Sequence, residues 1–383
     1  MGVELAFFWG SAGLLFYTYM GYPLLVWSWS RFRSQHVATA TGPDPSVTLI
    51  VVAYNEADRI QQRLENFLDL DYHWDLLEII VASDGSTDAT VAEARAFRSP
   101  FVQVLEFQRR RGKSAVLNEV IPRARAEIVV LADVRQRFET GVLHALVGNF
   151  ADPRVGAVSG ELMLLSGGTG SEVGKGVDFY WRYEKFIRRC ESLVDSSVGA
   201  TGAIYALRKA LYKPIPQAAI LDDVLIPMNI VRQGYRVLFE SRACAYDWTT
   251  TTAQAEFIRK LRTIAGNFQM FLLAPWLLSP FSNRLWLQTV SHKLLRLLSP
   301  LGLVIAFGAN LTLAHTPGYL FLLALQMAFY GAAGLGYLTR GAARRPPFLN
   351  IPYAFCLLNW ATVMAFVYFV NGRQQVTWKS AVR

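Results

Sequence analysis

The stretch LEIIVASDGSTDAT, residues 77–90, decides the fold. Its first six residues are apolar except for Glu78, and with Ser83 they are long enough for a strand buried on both faces. It ends on Asp84, passes a Gly85–Ser86 turn and reaches Asp88 where a helix begins. The same unit recurs on either side. VTLIVVA (47–53) precedes a helix that puts Ile60, Leu64, Phe67 and Leu68 on one face. VQVLEF (102–107) and EIVVLAD (127–133) follow, separated by a helix near 114–125. Strands alternating with helices predict a parallel sheet with helices on both faces. Ligands of such sheets sit beyond the carboxyl ends of the strands. Asp84 and Asp133 both stand there.

The rest of the chain is too apolar for one soluble domain. Of 383 residues 52% are hydrophobic, and the mean hydropathy is +0.24. No charged side chain occurs over 5–30, between Arg296 and Arg340, or between Arg345 and Arg373. A membrane-crossing helix takes about 20 mostly apolar residues, so the outer windows hold one span each. The middle window holds two, divided at 315–318. Residues 5–30 are too long and lack the basic flank of a cleaved signal, so they read as a retained anchor. Arg31 and Arg33 directly after it place the following domain in the cytoplasm. Residues 263–283 are uncharged but broken by Pro275 and Pro280, which reads as an interfacial segment.

Net charge is +9, with arginines beside the apolar windows and at 109–111. This suits a lipid bilayer surface, and no nucleic-acid module is present. Cys190, Cys244 and Cys356 are far apart and odd in number, which implies no disulfide framework. The glycines of SGGTGSEVGKG (166–176) miss the phosphate-loop spacing and read as a flexible loop. VDFYWRYEKFIRRCE (177–191) reads as an amphipathic helix.

Several residues carry chemistry. In VVAYNEADRI (51–60) a strand meets a polar elbow, where Ala53, Tyr54, Asn55 and Glu56 are placed to hold a base and ribose. Asp84, with Gly85, can accept from a base or a ribose hydroxyl; its alternative is a helix-side cap. Lys113 and the arginines of RRRGKSAVLNEV (109–120) suit a diphosphate. Asp222 and Asp223 are adjacent acids, one of which raises the pKa of the other. A helix beginning near Val224 would use Asp222 as its N-cap.

In combination these motifs resemble the membrane-embedded family 2 glycosyltransferases of GT-A fold, the group of cellulose, poly-N-acetylglucosamine and hyaluronan synthases. DGSTD, the GK and LN of 112–118, TGAIYALR (201–208) and LDDVLIPMNIVRQGYRV (221–237) follow in the family's order. The resemblance implies a Rossmann-like cytoplasmic α/β domain joined to transmembrane helices. It implies that Asp84 reads the base, Lys113 lies at the nucleotide, Thr201 and Gly202 lie at the acceptor, and Asp223 is the general base beside Asp222. Asp133 matches the first acid of the D-x-D motif and is the metal ligand for Mg2+ or Mn2+. Arg135 stands where the second acid belongs. Either its guanidinium replaces the metal, or Asp133 keeps the metal while Arg135 turns to an acid; the second is preferred. The Q-x-x-R-W motif appears as Arg259, Arg262 and Thr263, without the tryptophan that holds acceptor sugar in processive enzymes.

The implied protein is an inverting transferase at the cytoplasmic membrane, multi-pass. It moves sugar from a nucleotide sugar, expected to be a UDP-sugar, to a glycan or lipid-linked acceptor. Further polysaccharide-assembly subunits are candidate partners. Alternatives are single-sugar transfer to a lipid carrier and a silent nucleotide-binding scaffold. The expected boundaries are 1–33 anchor, 45–262 catalytic domain, 263–292 interfacial segment, 293–372 about three spans and 373–383 tail.

Overall fold

The computed structural model describes residues 2–37, 44–165, 172–248, 253–339 and 346–372. The glycines at 166–170, most of the 39–46 linker and the 373–383 tail lie outside the described residues. Among the described residues eight strands form one sheet: β1 Val47–Ala53, β2 Leu77–Asp84, β3 Val102–Phe107, β4 Ile128–Ala132, β5 Arg137–Phe138, β6 Val155–Leu165, β7 Ile204–Arg208 and β8 Arg236–Trp248. Their order is β3-β2-β1-β4-β7-β6-β8-β5. The first four run parallel, as expected. All of β1 and β2 is buried, because helices cover both faces and leave no polar side to alternate with.

The parallel expectation fails beyond β4. β7 runs antiparallel to it, with Ile204 opposite Ala132. β6 is antiparallel to β7 but parallel to β8, and β5 closes the edge against β8. The sheet is mixed because β7 starts, rather than ends, at the carboxyl end of β4. That reversal sets the turn before β7, Thr201–Gly202, beside the end of the strand that delivers Asp133.

Helix Ala57–Leu68 buries Ile60, Leu64 and Phe67 on one face of the sheet, and Leu68 packs at its margin. Helices Lys113–Val120 and Asp222–Arg232 cover the other. Helix Glu172–Val194 extends past the predicted 177–191 at both ends and takes in 172–176, which read as loop.

Among the described residues three helices are long and apolar enough to cross a membrane: Trp286–Leu313, Pro317–Leu338 and Pro347–Val370, with mean hydropathies of 1.7, 1.5 and 1.7. The expected division at 315–318 separates the first two. The N-terminal rod runs over 2–32, with a π-helical turn at Tyr17–Gly21. Trp9 Nε1 donates to the Tyr319 hydroxyl at 3.0 Å, tying the rod to the second long helix. The boundary expected at 262/263 falls inside one helix, Ala253–Leu273. Its Met270 and Phe271 enter the domain core, while Leu261 and Ala265 pack on Ala361 and Ala365 of the last helix. The sheet domain and the apolar helices therefore share this element.

Candidate active site

The polar elbow after β1 is tied to the one after β2. Asn55 adopts a left-handed conformation, φ 52°, uncommon outside glycine and tolerated by asparagine. Its Oδ1 accepts from the Thr87 amide at 2.8 Å, and its own amide N–H donates to Ser86 Oγ at 3.2 Å. The Glu56 amide donates to Thr90 Oγ1 at 2.8 Å, and its carboxylate accepts from Arg59 at 2.8 Å. Asn55 and Glu56, expected to hold base and ribose, thus spend their side chains on fixing the elbow. Ala53 is buried as the last residue of β1. Tyr54 presents its ring to the Arg110 guanidinium, 3.6 Å from the ring centre.

Asp84 is fully buried, and neither carboxylate oxygen is left to itself. Oδ1 accepts from the Arg111 amide at 2.7 Å and Oδ2 from the Gly112 amide at 2.8 Å. Gly85, at φ 67°, lets the 109–112 loop close over it, since a Cβ there would lie 2.5 Å from the Arg110 nitrogen. The cap reading of Asp84 is corrected: the carboxylate anchors the loop that delivers Arg110 and Lys113. Asp84→Asn would leave one of the two amides without an acceptor. It is expected to cost about 1–3 kcal/mol of stability, read as a lowered unfolding midpoint of the purified protein.

Lys113 meets Asp133 at the end of β4. Its Nζ donates to Asp133 Oδ1 at 2.7 Å and lies 3.7 Å from Asp222 Oδ2. Burial alone would lower the Lys113 pKa; Asp133, then Asp222, outweigh it and raise it. Asp222 opens its helix instead of capping it, because Leu221 takes the cap position. It is buried, and its Oδ2 has no hydrogen bond. Asp223 keeps partial access to solvent. Burial first, and the Asp222 charge next, push its pKa up to about 6. Gly202 leaves this carboxylate open, for a Cβ there would stand 3.0 Å from Asp223 Oδ2. Thr201 is buried, its amide donating to Ser159 Oγ at 2.8 Å and its Oγ1 accepting from Arg188 at 3.1 Å. Sequence reasoning missed Arg188; its only signal was the spacing of Glu184, Arg188 and Glu191 on one helical face.

Arg135 turns away to an acid, donating to Asp247, which also accepts from Gln136 at 3.1 Å. Arg135 thus pairs with an acid, the part of the preferred arrangement that concerns its own side chain. Helix Ala253–Leu273 brings Arg262 close enough for the charges of Asp222, Asp133 and Asp223 to act on it, against the burial that chiefly lowers its pKa. Arg259 is half-buried one turn earlier, and Thr263 is exposed with its hydroxyl donating to the Arg259 carbonyl at 3.2 Å. Among the described residues no three His, Cys, Asp or Glu side chains gather as a metal cage. Asp133, 43% exposed and engaged through one oxygen, can offer a single carboxylate to a hard cation that takes its other ligands from phosphates.

The geometry is a pair of adjacent carboxylates, Asp222 and Asp223, beside a cluster of Lys113, Arg110 and Arg262. Residues 48–213 match the family model Glycosyl transferase family 2. Poly-beta-1,6-N-acetyl-D-glucosamine synthase of Staphylococcus aureus is 25% identical over 233 residues, 59% of this chain and 55% of that protein. The Staphylococcus epidermidis enzyme of the same name is 24% identical over 236 residues, 60% and 56%. The aligned part thus spans about half the length of these curated relatives. Among solved structures, a mannosyltransferase from Pyrobaculum calidifontis in complex with GDP-Man and Mn2+ superposes with a TM-score of 0.71 at 25% identity. It covers 94% of this chain and 98% of its own. The chain therefore carries a family 2 glycosyltransferase domain of GT-A fold, joined to apolar helices able to cross a membrane.

Proposed function

We propose that this chain is a multi-pass membrane enzyme that transfers a sugar, with inversion, from a nucleotide sugar to a glycan or lipid-linked acceptor, its catalytic domain on the cytoplasmic side. The observation that carries this reading is Asp223, a base with a pKa of about 6 left open beneath Gly202. In the reaction the acceptor hydroxyl gives its proton to Asp223 and its oxygen bonds to the anomeric carbon. The bond from that carbon to the diphosphate breaks on the opposite side. Lys113, Arg262 and Arg110 supply fixed positive charge where the diphosphate gains negative charge. Mg2+ or Mn2+, held by Asp133 and the donor's phosphate oxygens, would add to that neutralisation. Tyr54, under Arg110, offers a flat face for the donor's base.

Thr263 favours single-sugar transfer over chain extension. It stands where processive relatives carry tryptophan, and neither its size nor its engaged hydroxyl offers a stacking surface to an acceptor sugar.

The test is nucleoside-diphosphate release by the detergent-purified chain over a panel of UDP- and GDP-sugars, with and without EDTA. Release from one donor, lost on adding EDTA, is the expected result. Release from none, with membrane lipids restored, would turn the reading to a nucleotide-binding scaffold. Arg135→Gln is expected to leave EDTA sensitivity unchanged, because its guanidinium is spent on Asp247. A variant whose metal requirement rises would show instead that Arg135 substitutes for the cation.

A further inference from the structure

A cavity of about 350 Å³ lies between helix Ala57–Leu68, the segment after β4 and the end of β8. It is on the face of the sheet opposite helix Asp222–Arg232, outside the centre described above. Its size is within the range of small-molecule sites, about 300–1,000 Å³. Arg63 lines it and is 2% exposed, with its guanidinium 4.1 and 3.9 Å from the ring centres of Phe67 and Phe138. Nη1 donates to Asn66 Oδ1 at 2.8 Å and to the Gln136 carbonyl at 2.6 Å. Nε and Nη2, the two parallel donors of the remaining edge, are buried without an acceptor. Gln136 lines the same cavity. Its Nε2 donates to Asp247 at 3.1 Å, and its Oε1 is buried without a donor. Buried polar atoms without partners are uncommon. Two donors and one acceptor among the residues around one cavity mark a place that a ligand completes.

The charges around the cavity say that this ligand is neutral. Arg59 is paired with Glu56 at 2.8 Å, and Arg135 with Asp247. Arg137, Glu65 and Asp69 stand exposed at the rim with no ion pair among the described residues. The positive charges of Arg63 and Arg137 are thus balanced by Glu65 and Asp69. Burial lowers the Arg63 pKa to about 9, and the Asp133 charge acts against it. A phosphate or carboxylate drawn to Arg63 would be repelled by these carboxylates. What is missing is a group that accepts from Nε and Nη2 and donates to Gln136 Oε1. A hydroxyl does both, and neighbouring hydroxyls on one ring can meet both donors of an arginine edge. Trp248, 44% exposed, also lines the cavity. Its indole is a flat apolar surface suited to the C–H face of a pyranose.

We propose that this cavity is a binding site for a neutral pyranose, held through its hydroxyls by Arg63 and Gln136 and through its ring by Trp248. The sugar is bound there and not transformed. The same chemistry serves a non-reacting unit of the acceptor glycan and a separate saccharide. The first source rests on the glycosyltransferase reading above, whereas the site itself does not.

The full chain, purified in a detergent without a sugar head group, would be titrated with glucose, mannose, N-acetylglucosamine and a disaccharide of each. Binding is followed by saturation-transfer NMR with no donor present. The expected result is that at least one of these sugars binds and that Trp248→Ala raises its Kd about tenfold, the worth of a lost aromatic contact. Trp248→Tyr, which keeps a ring, should retain most of the affinity, and Gln136→Leu should weaken it. Inorganic phosphate at equal concentration should not displace the sugar. Binding by none of the sugars, a Kd unmoved by both Trp248→Ala and Gln136→Leu, or displacement by phosphate would each overturn the proposal. Transfer to acceptors of one and three sugar units then identifies the source. A kcat/KM that rises with length in the parent but not in Trp248→Ala assigns the cavity to the acceptor glycan, and any other pattern assigns it to a separate saccharide. No nucleoside-diphosphate release from any donor, with sugar binding intact, would overturn the glycosyltransferase reading and leave the sugar site standing.

Discussion

Asp223→Asn is expected to lower sugar transfer by about 10²- to 10⁴-fold, the usual worth of a positioned general base. Asparagine keeps the shape beneath Gly202 but accepts no proton from the acceptor hydroxyl. The pH profile gives a second readout. Asp223 titrates at about 6, raised by burial and by the charge of Asp222. It is a base only when ionised, so kcat/KM should climb as pH rises to about 6 and level above it. Asp222→Asn removes the neighbouring charge and should move that limb to lower pH. The stability sign separates chemistry from unfolding. A carboxyl whose folded pKa exceeds its unfolded value of about 3.9 makes the fold less stable as pH rises from about 4 to about 6. Above that window the Asp223→Asn chain escapes this cost, and its unfolding midpoint at neutral pH should not fall below that of the parent. A variant that lost activity together with its midpoint would point to a structural Asp223, and one that kept activity would exclude it as the base.

The parallel half of the sheet was legible because its strands are covered on both faces. VTLIVVA is β1 to the residue, and the others agree within one or two positions. The antiparallel half carries no such signal. β6 contains Gly156, Ser159, Gly160 and Glu161, and Gly160 is small because a Cβ there would lie 2.6 Å from the Ala243 carbonyl. Its constraint comes from a strand more than 80 residues away, not from local periodicity. The same distinction separates site residues that came together from those that did not. Asp84, Lys113, Asp133, Asp222 and Asp223 follow from strand and helix ends, which the sequence marks. The ties of Asn55 to Thr87 and of the Glu56 amide to Thr90 run across an elbow, where no local pattern announces them. Arg135 turned on Asp247, 112 residues on, and no spacing rule reaches that far.

The pairing least visible in the sequence should have the largest effect on stability. His292→Leu is expected to destabilise the protein by about 3–5 kcal/mol, the cost of leaving buried charge without its partner. His292 is 1% exposed, with Nδ1 2.9 Å from Glu191 and Nε2 2.9 Å from Glu184, so each nitrogen is placed to donate to a carboxylate. Leucine fills the space but leaves two carboxylates at 6% and 0% exposure, one held by Arg296 and the other by only a hydroxyl and an amide. The cluster also joins three parts of the chain, because Tyr22 comes from the N-terminal rod, Glu184 and Glu191 from the domain helix, and His292 from the first long apolar helix. Both of the rods it ties have a π-helical turn nearby, at 17–21 and 290–294, a distortion frequent at functional sites. Adding Glu191→Gln to His292→Leu removes one of the two stranded charges and should recover part of the lost midpoint. Full additivity of the two losses would show that the ring and Glu191 do not act as a pair. Recovery would establish that an ion cluster holds the catalytic domain to its apolar helices.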